Sequence, residues 1–404
     1  YDISLGLVGS EMCIRDSYFA AWPKKLGMTH EDFHNLARVK PGNTKENFGM
    51  TPLALRTSRS ANGVAALHGK IARGMWKPLW PGKPVSKVPI GHVTNGIHLE
   101  TWLHPRMAEM FDELLGDDWR DRQDRVSTWA GCRNIPDQAL WDLHQELKLE
   151  LIEFCRARVK DQLRRTPVKG MKLSDADKIL DPRALTIGFA RRFAPYKRAT
   201  LCFTDPARLA KILNNRTMPV QLIFSGKAHP ADSEGKAIIA ELVRYARSPR
   251  FRKRIVFLED YEMDVARHMV AGVDVWLNNP ERPREASGTS GMKPALHGGL
   301  NLSILDGWWP EGYNKKNGWA IGKGQDHDGT QRADRRDAAD LYRLLEKEVV
   351  PLYYRRAARG KSDLPKQWIA RMKNALMTIP PFFNTDRQVK EYLTKHYLPA
   401  MRKA

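Results

Sequence analysis

Cysteine is scarce in this 404-residue chain: Cys13, Cys132, Cys155 and Cys202 are all there are, and no C-x-x-C pair occurs. So few exclude a disulfide scaffold; they fit a reducing compartment and read as packing residues. No apolar run approaches the length a bilayer requires, so no membrane span is expected. Internal repeats and low-complexity tracts are missing too. Acidic residues are in deficit, 46 Asp and Glu against 67 Lys and Arg, for a net charge of +21. Yet the cations are dispersed along the whole chain, with no long Lys/Arg block and no zinc-finger or RNP-type motif. Nucleic-acid binding is therefore disfavoured, and an enzyme with anionic ligands explains the charge at least as well. What is present, 42% hydrophobic and 28% charged residues over a length sufficient for two cored domains, is ordinary for a soluble enzyme.

The first 17 residues (YDISLGLVGSEMCIRDS) read unlike the remainder. They lack the basic start and the apolar stretch of a secretory signal. The string resembles translated sequencing-adapter read-through and is set aside from the fold; on that reading the chain is expected to be an open-ended fragment. Residues 18–92 are expected to be helical. Thr29-His-Glu-Asp32 reads as a capping box ahead of Phe33 and Leu36, and residues 53–75 as one long amphipathic stretch. Helix is expected again over 104–165, with Pro136-Asp137 as a start signal.

From Leu185 the texture alternates. Short apolar runs at 184–189, 220–224, 254–258, 273–277, 300–305 and 319–321 read as strands buried on both faces. Amphipathic stretches after Asp205-Pro206, over 236–247 and around 264–271 lie between them. That order predicts an α/β fold with a doubly wound parallel sheet. The divisions expected are a leader (1–17), a helical segment (18–92), a Rossmann-like domain (93–385) and a terminal helix (386–404). Such a sheet binds its ligand in the loops beyond the strand C-termini.

Those loops hold the chemistry. After the first strand, Arg191-Arg192-Phe-Ala-Pro-Tyr196-Lys197-Arg198 sets four cations in eight residues. A charge run is usually a solvated face, but at this edge it suits a phosphate. Gly226-Lys-Ala-His229 follows the second strand, where a lone histidine is more often simply satisfied. Glu259-Asp260-Tyr261 follows the third. After the fourth comes Arg284-Glu285-Ala-Ser-Gly288-Thr289-Ser290-Gly-Met-Lys293. Small residues let a backbone approach a ligand, and the N–H groups opening a following helix can cradle phosphate. Lys293 is expected in that helix's first turn, restrained toward extended geometry by Pro294. There the helix dipole and the basic loop both lower its amine pKa, as attack on an aldehyde requires; a plain surface lysine is the alternative. The turns at Asp306-Gly-Trp308-Trp309 and Tyr313 through Trp319 suit either sugar stacking or core packing.

Together with His92-Val-Thr94-Asn95-Gly96-Ile-His98 and Trp102, these segments resemble the α-glucan phosphorylases, nearest to their shorter bacterial and archaeal branch, from about Tyr18 onward. The resemblance implies a GT-B glycosyltransferase fold and pyridoxal 5'-phosphate joined to Lys293. It implies cofactor contacts from Arg191, Gly288, Thr289, Ser290, Tyr261 and Trp102, and substrate phosphate on Arg192. Lys197 would lie between the two phosphates. Glu285, Asn95 and Tyr196 would contact the glucosyl unit. Arg191 replaces a lysine common in relatives, and Glu262 an arginine of longer ones.

The implied reaction is reversible and retains configuration: an α-glucan (glycogen, starch or maltodextrin) plus inorganic phosphate gives glucose 1-phosphate. A cytoplasmic homodimer is the family expectation, with no nucleic acid, membrane or metal partner. The family's N-terminal domain supplies a catalytic histidine, a glycine loop and half of the cleft, all expected upstream of Tyr18, so the 404-residue chain alone is expected to be inactive. A nucleotide-sugar glucan synthase would need no Schiff-base lysine. A non-catalytic glucan-binding relative is disfavoured by the intact Arg192, Lys197, Glu285 and Lys293.

Overall fold

The computed structural model describes residues 18–168, 170–356 and 363–402; the leader lies outside them. The chain divides into two compact units, Tyr1–Thr94 with Glu391–Ala404, and Asn95–Lys390.

In the first unit, helix α1 (His30–Leu36) begins where expected, with Thr29 Oγ1 accepting the Asp32 N–H at 3.1 Å. Phe33 packs against Phe19 and Phe48. The long helix read at 53–75 is instead two helices, α2 (Met50–Thr57) and α3 (Ala66–Met75). Between them strand β1 (Ala61–Gly63) pairs in parallel with β2 (Ile90–His92). A Cβ on Gly63 would meet the Gly69 backbone nitrogen at 2.4 Å, so sheet pairing and this close approach override the helical periodicity.

In the second unit, the stretch read as helix over 104–165 is interrupted. α4 (Leu99–Trp102) and α5 (Pro105–Leu115) precede a break at Gly116, whose φ is 84°. Shorter turns lead to α6 (Asp137–Arg165), which starts at the expected residue. All six expected strands then form: β3 (Leu185–Ala190), β4 (Val220–Ser225), β5 (Ile255–Leu258), β6 (Val275–Asn278), β7 (Leu300–Ile304) and β8 (Gly318–Ile321). Every pairing is parallel and the order is β5-β4-β3-β6-β7-β8.

β3 to β7 are buried at every residue, which is why they read as apolar runs without alternation. Successive residues serve separate cores: Leu222 and Phe224 join one cluster, Ile223 another with Leu151 and Trp276. Helices α7 (Pro206–Leu213), α8 (Ser233–Arg247) and α9 (Met263–Gly272) connect β3 to β6, and α10 (Gln331–Leu344) follows β8. The chain steps outward from β3 to β5, then returns to lay β6 on β3's other side. That reversal opens a crevice beyond the C-terminal ends of β3 and β6.

At the opposite edge, just before β6, Asp274 is fully buried. Its carboxylate accepts from Lys148 Nζ (2.8 Å) and the Thr186 N–H (2.7 Å), and His144 Nε2 lies 2.9 Å away. Among the described residues, no helix is long and apolar enough to cross a membrane.

Candidate functional site

The loop after β3 is clamped before its side chains are considered. Arg191 N–H donates to the Ser225 carbonyl, and Phe193 N–H to that of Lys227. A Cβ on Gly226 would lie 2.1 Å from the Arg191 carbonyl oxygen, so only glycine lets the two loops meet. The four cations then divide. Arg198, at a left-handed φ of 50°, turns away from the crevice. Its guanidinium donates to the Asn279 and Pro280 carbonyls and to Asp334 (2.8 Å) and Asp337 (2.9 Å) on α10. It fastens the basic loop to the loop after β6.

Arg191 and Lys197 converge on Glu285. Arg191 Nη2 lies 2.6 Å from Glu285 Oε2, and Lys197 Nζ lies 3.1 Å from Oε2 and 3.3 Å from Oε1. The three side chains are 8%, 8% and 12% exposed. Burial opposes ionisation of Glu285, but the two cations outweigh it and hold its carboxyl below the usual range. Lys197 is pushed down to about 8 by burial and by the Arg191 charge, against the pull of Glu285. Two cations thus face one carboxylate. Arg191 also keeps Nε and Nη1 buried without a partner, so it has donors left for a further anion.

Behind Glu285 stands Asp306, beyond β7, accepting the Glu285 N–H (2.9 Å) and the Gly307 N–H (2.8 Å). Burial, opposed by those two bonds and reinforced by the Glu285 charge, pushes its carboxyl up to about 7. Between the ordinary 3.8 and 7, the folded chain keeps a proton that the unfolded chain releases. Stability should therefore fall as pH rises through that window, by up to ~1.4 kcal/mol per pH unit. Asp306→Asn should flatten this slope in denaturant melts taken from pH 4 to 8; an unchanged slope counts against the assignment.

The segment after β6 delivers Lys293, but not as expected. Thr289–Met292 and Pro294–His297 are two short 3-10 turns rather than an α-helix, and Lys293 links them in right-handed helical geometry (φ −70°, ψ −46°). Glycines on both sides and a proline without an N–H keep the turns short, so little dipole develops. The lysine amine is nonetheless pushed down to about 8, and burial is the cause. Lys293 Nζ sits 3.3 Å from the Trp102 ring centroid. The loop is tied to the sheet by Asn301 Nδ2 on the Gly291 carbonyl (2.8 Å) and by Trp276 Nε1 on Ser290 Oγ (3.3 Å).

Trp102 and Tyr261 pack on the cluster that contains Trp276, and the Arg191 charge is felt at the Tyr261 hydroxyl. Tyr196 lies under Lys197, whose Nζ is 4.6 Å from its ring centroid. Gly288 is left-handed (φ 72°) against Glu285, and Thr289 opens the first turn. Arg192 is exposed; its charge acts on Lys197. Asn95 is not brought into this bonded cluster: its side-chain oxygen accepts from Gln388. Trp308, Trp309 and Trp319 are at most 3% exposed and pack as core, while Tyr313 is half-buried. Sequence reasoning missed Asp306, although a carboxylate directly beyond a buried parallel strand is a signal. It also missed Asn301, a polar residue inside an apolar strand that must find a partner.

Residues 13–313 match the family model described as carbohydrate phosphorylase. A maltodextrin phosphorylase of Thermococcus litoralis is 46% identical over 378 residues, 94% of this chain and 43% of that protein. A glycogen phosphorylase of Aquifex aeolicus is 44% identical over 89% of this chain and 51% of its own length. One of Mycobacterium bovis is 43% identical over 87% and 40%. The chain therefore spans about half, or less, of the length of these relatives.

Proposed function

Because this chain belongs to the carbohydrate phosphorylase family, we propose that it forms the cofactor- and phosphate-binding part of an α-1,4-glucan phosphorylase. The reaction is reversible phosphorolysis of terminal glucosyl units of glycogen, starch or maltodextrin to glucose 1-phosphate, run by a cytoplasmic enzyme of GT-B architecture. The observation that carries the reading is the buried convergence of Arg191 and Lys197 on Glu285, in one unit with the low-pKa amine of Lys293.

The residues suit pyridoxal phosphate. Trp102 offers a flat face at the Lys293 amine, the small residues 286–291 keep the loop slim, and the unpartnered Nε and Nη1 of Arg191 can receive phosphate oxygens. Gly288, Thr289 and Ser290 line the same loop, and Tyr261 stands near Arg191. When bound, the cofactor supplies a phosphate that assists proton transfer.

Arg192 and Lys197 hold the substrate phosphate, and Lys197 reaches toward both anions. Two unit charges 4 Å apart repel by about 4 kcal/mol at an effective dielectric of 20, which the loop's cations offset. Glu285, held through its backbone by Asp306, accepts from glucosyl hydroxyls, with Tyr196 and Asn95 as further sugar contacts. The test is to express the complete reading frame and assay phosphate-dependent release of glucose 1-phosphate from maltodextrin. No release, with the protein folded and cofactor supplied, sinks the proposal.

A further inference from the structure

The segments that carry Lys293 and Trp102 are joined by a hydrogen bond from the backbone N–H of His104 to His297 Nε2, at 3.0 Å. His297 is 1% exposed and closes the turn that starts one residue after Lys293. His104 lies two residues beyond Trp102 and caps α5. A backbone N–H can only donate, so Nε2 is the bare nitrogen and the ring proton sits on Nδ1. Burial, helped by the neighbouring His104 and His144, pushes His297 down to about 3, so the acceptor persists at neutral pH. The His297 carbonyl is held as well: His144 Nδ1 lies 3.1 Å from it, and His144 Nε2 is anchored on Asp274. Among the described residues, no hydrogen bond or ion pair holds the Lys293 ammonium, so the position of its amine depends on how these two segments are set.

We propose that His297 is a positioning residue: through its bond to the His104 N–H it sets Lys293 against Trp102 and so fixes where the amine stands for covalent attachment. The proposal rests on the cofactor reading above. Competitive acetylation across pH, read by peptide mass spectrometry on the 404-residue chain, reports the midpoint of the Lys293 amine, about 8 in the parent. His297→Leu removes the acceptor. His104→Pro removes the donor at a backbone that proline adopts freely (φ −70°, ψ 139°, after Leu103 at ψ 128°). Each should raise the midpoint by about one unit or more and slow pyridoxal phosphate attachment at pH 7 about tenfold. His297→Gln, with an oxygen reaching near the place of Nε2, and His104→Ala, which keeps the N–H, should retain the parent midpoint.

The proposal is overturned when all four variants match the parent, or when Gln and Ala shift as far as Leu and Pro. If one loss variant fails to fold by circular dichroism, the other decides, because they remove opposite ends of one bond. Rapid hydrogen exchange of the His104 amide in the parent also overturns it. Acetylation needs no cofactor, so a parent that titrates as expected but takes up no pyridoxal phosphate counts against the cofactor reading alone.

Discussion

Lys293→Arg is expected to abolish borohydride-fixed attachment of pyridoxal phosphate, while the chain stays folded. Arginine keeps a cation that can stack on the Trp102 face, but it cannot shed a proton near neutral pH and so cannot attack an aldehyde. Lys293 can, because burial has brought its amine down to about 8. The informative competitor is Lys197, whose amine is also pushed down to about 8. Depressed basicity alone would let either lysine react. Location separates them: Lys197 is engaged by Glu285, whereas Lys293 faces an aromatic ring. Peptide mapping after reduction should therefore find the adduct on Lys293 in the parent and on no lysine in the variant. Transfer of the full adduct to Lys197 would overturn the assignment.

Asp274→Ala should have the largest effect on stability, a loss of about 3–5 kcal/mol, because it strands the fully buried Lys148 and His144 and orphans the Thr186 N–H. Lys148→Met should cost a similar amount. Removing both charges together, as Lys148→Met with Asp274→Ala, should cost clearly less than the sum, since no unpaired ion is left. Denaturant unfolding measures all three, and strict additivity would refute the coupling. Burial opposes ionisation of Asp274, but Lys148 and His144 hold its carboxyl below 3.8. A depressed carboxyl stabilises above its unfolded value and loses that contribution as pH falls through the folded one. The parent should thus lose stability below pH 3.8, and Asp274→Ala should lack that part of its acid limb.

The sheet was legible in the sequence because strands buried on both faces are continuous apolar runs, and parallel order follows from the helices between them. The loops of the site were legible for the same reason, since topology places strand C-termini at one edge. What the basic loop does was not. Arg191 and Lys197 serve Glu285 and Arg198 does not, because a left-handed turn at Arg198 aims it at Asp334 and Asp337, far along the chain. Charge pattern carries no such information. The sequence pattern assigns the lowered basicity of Lys293 to a helix dipole and the basic loop, whereas burial is what acts. Helical periodicity likewise could not reveal that residues 61–63 pair with 90–92, a contact distant in sequence.

The anchoring of Arg198 sets how far the protein can be pared down. Its two carboxylate partners sit on α10, after the last strand of the sheet. A version trimmed back to β8 would keep every strand and every loop cation, yet free the basic loop from its outer attachment. Any miniaturised or grafted form meant to bind phosphate must carry α10 with it.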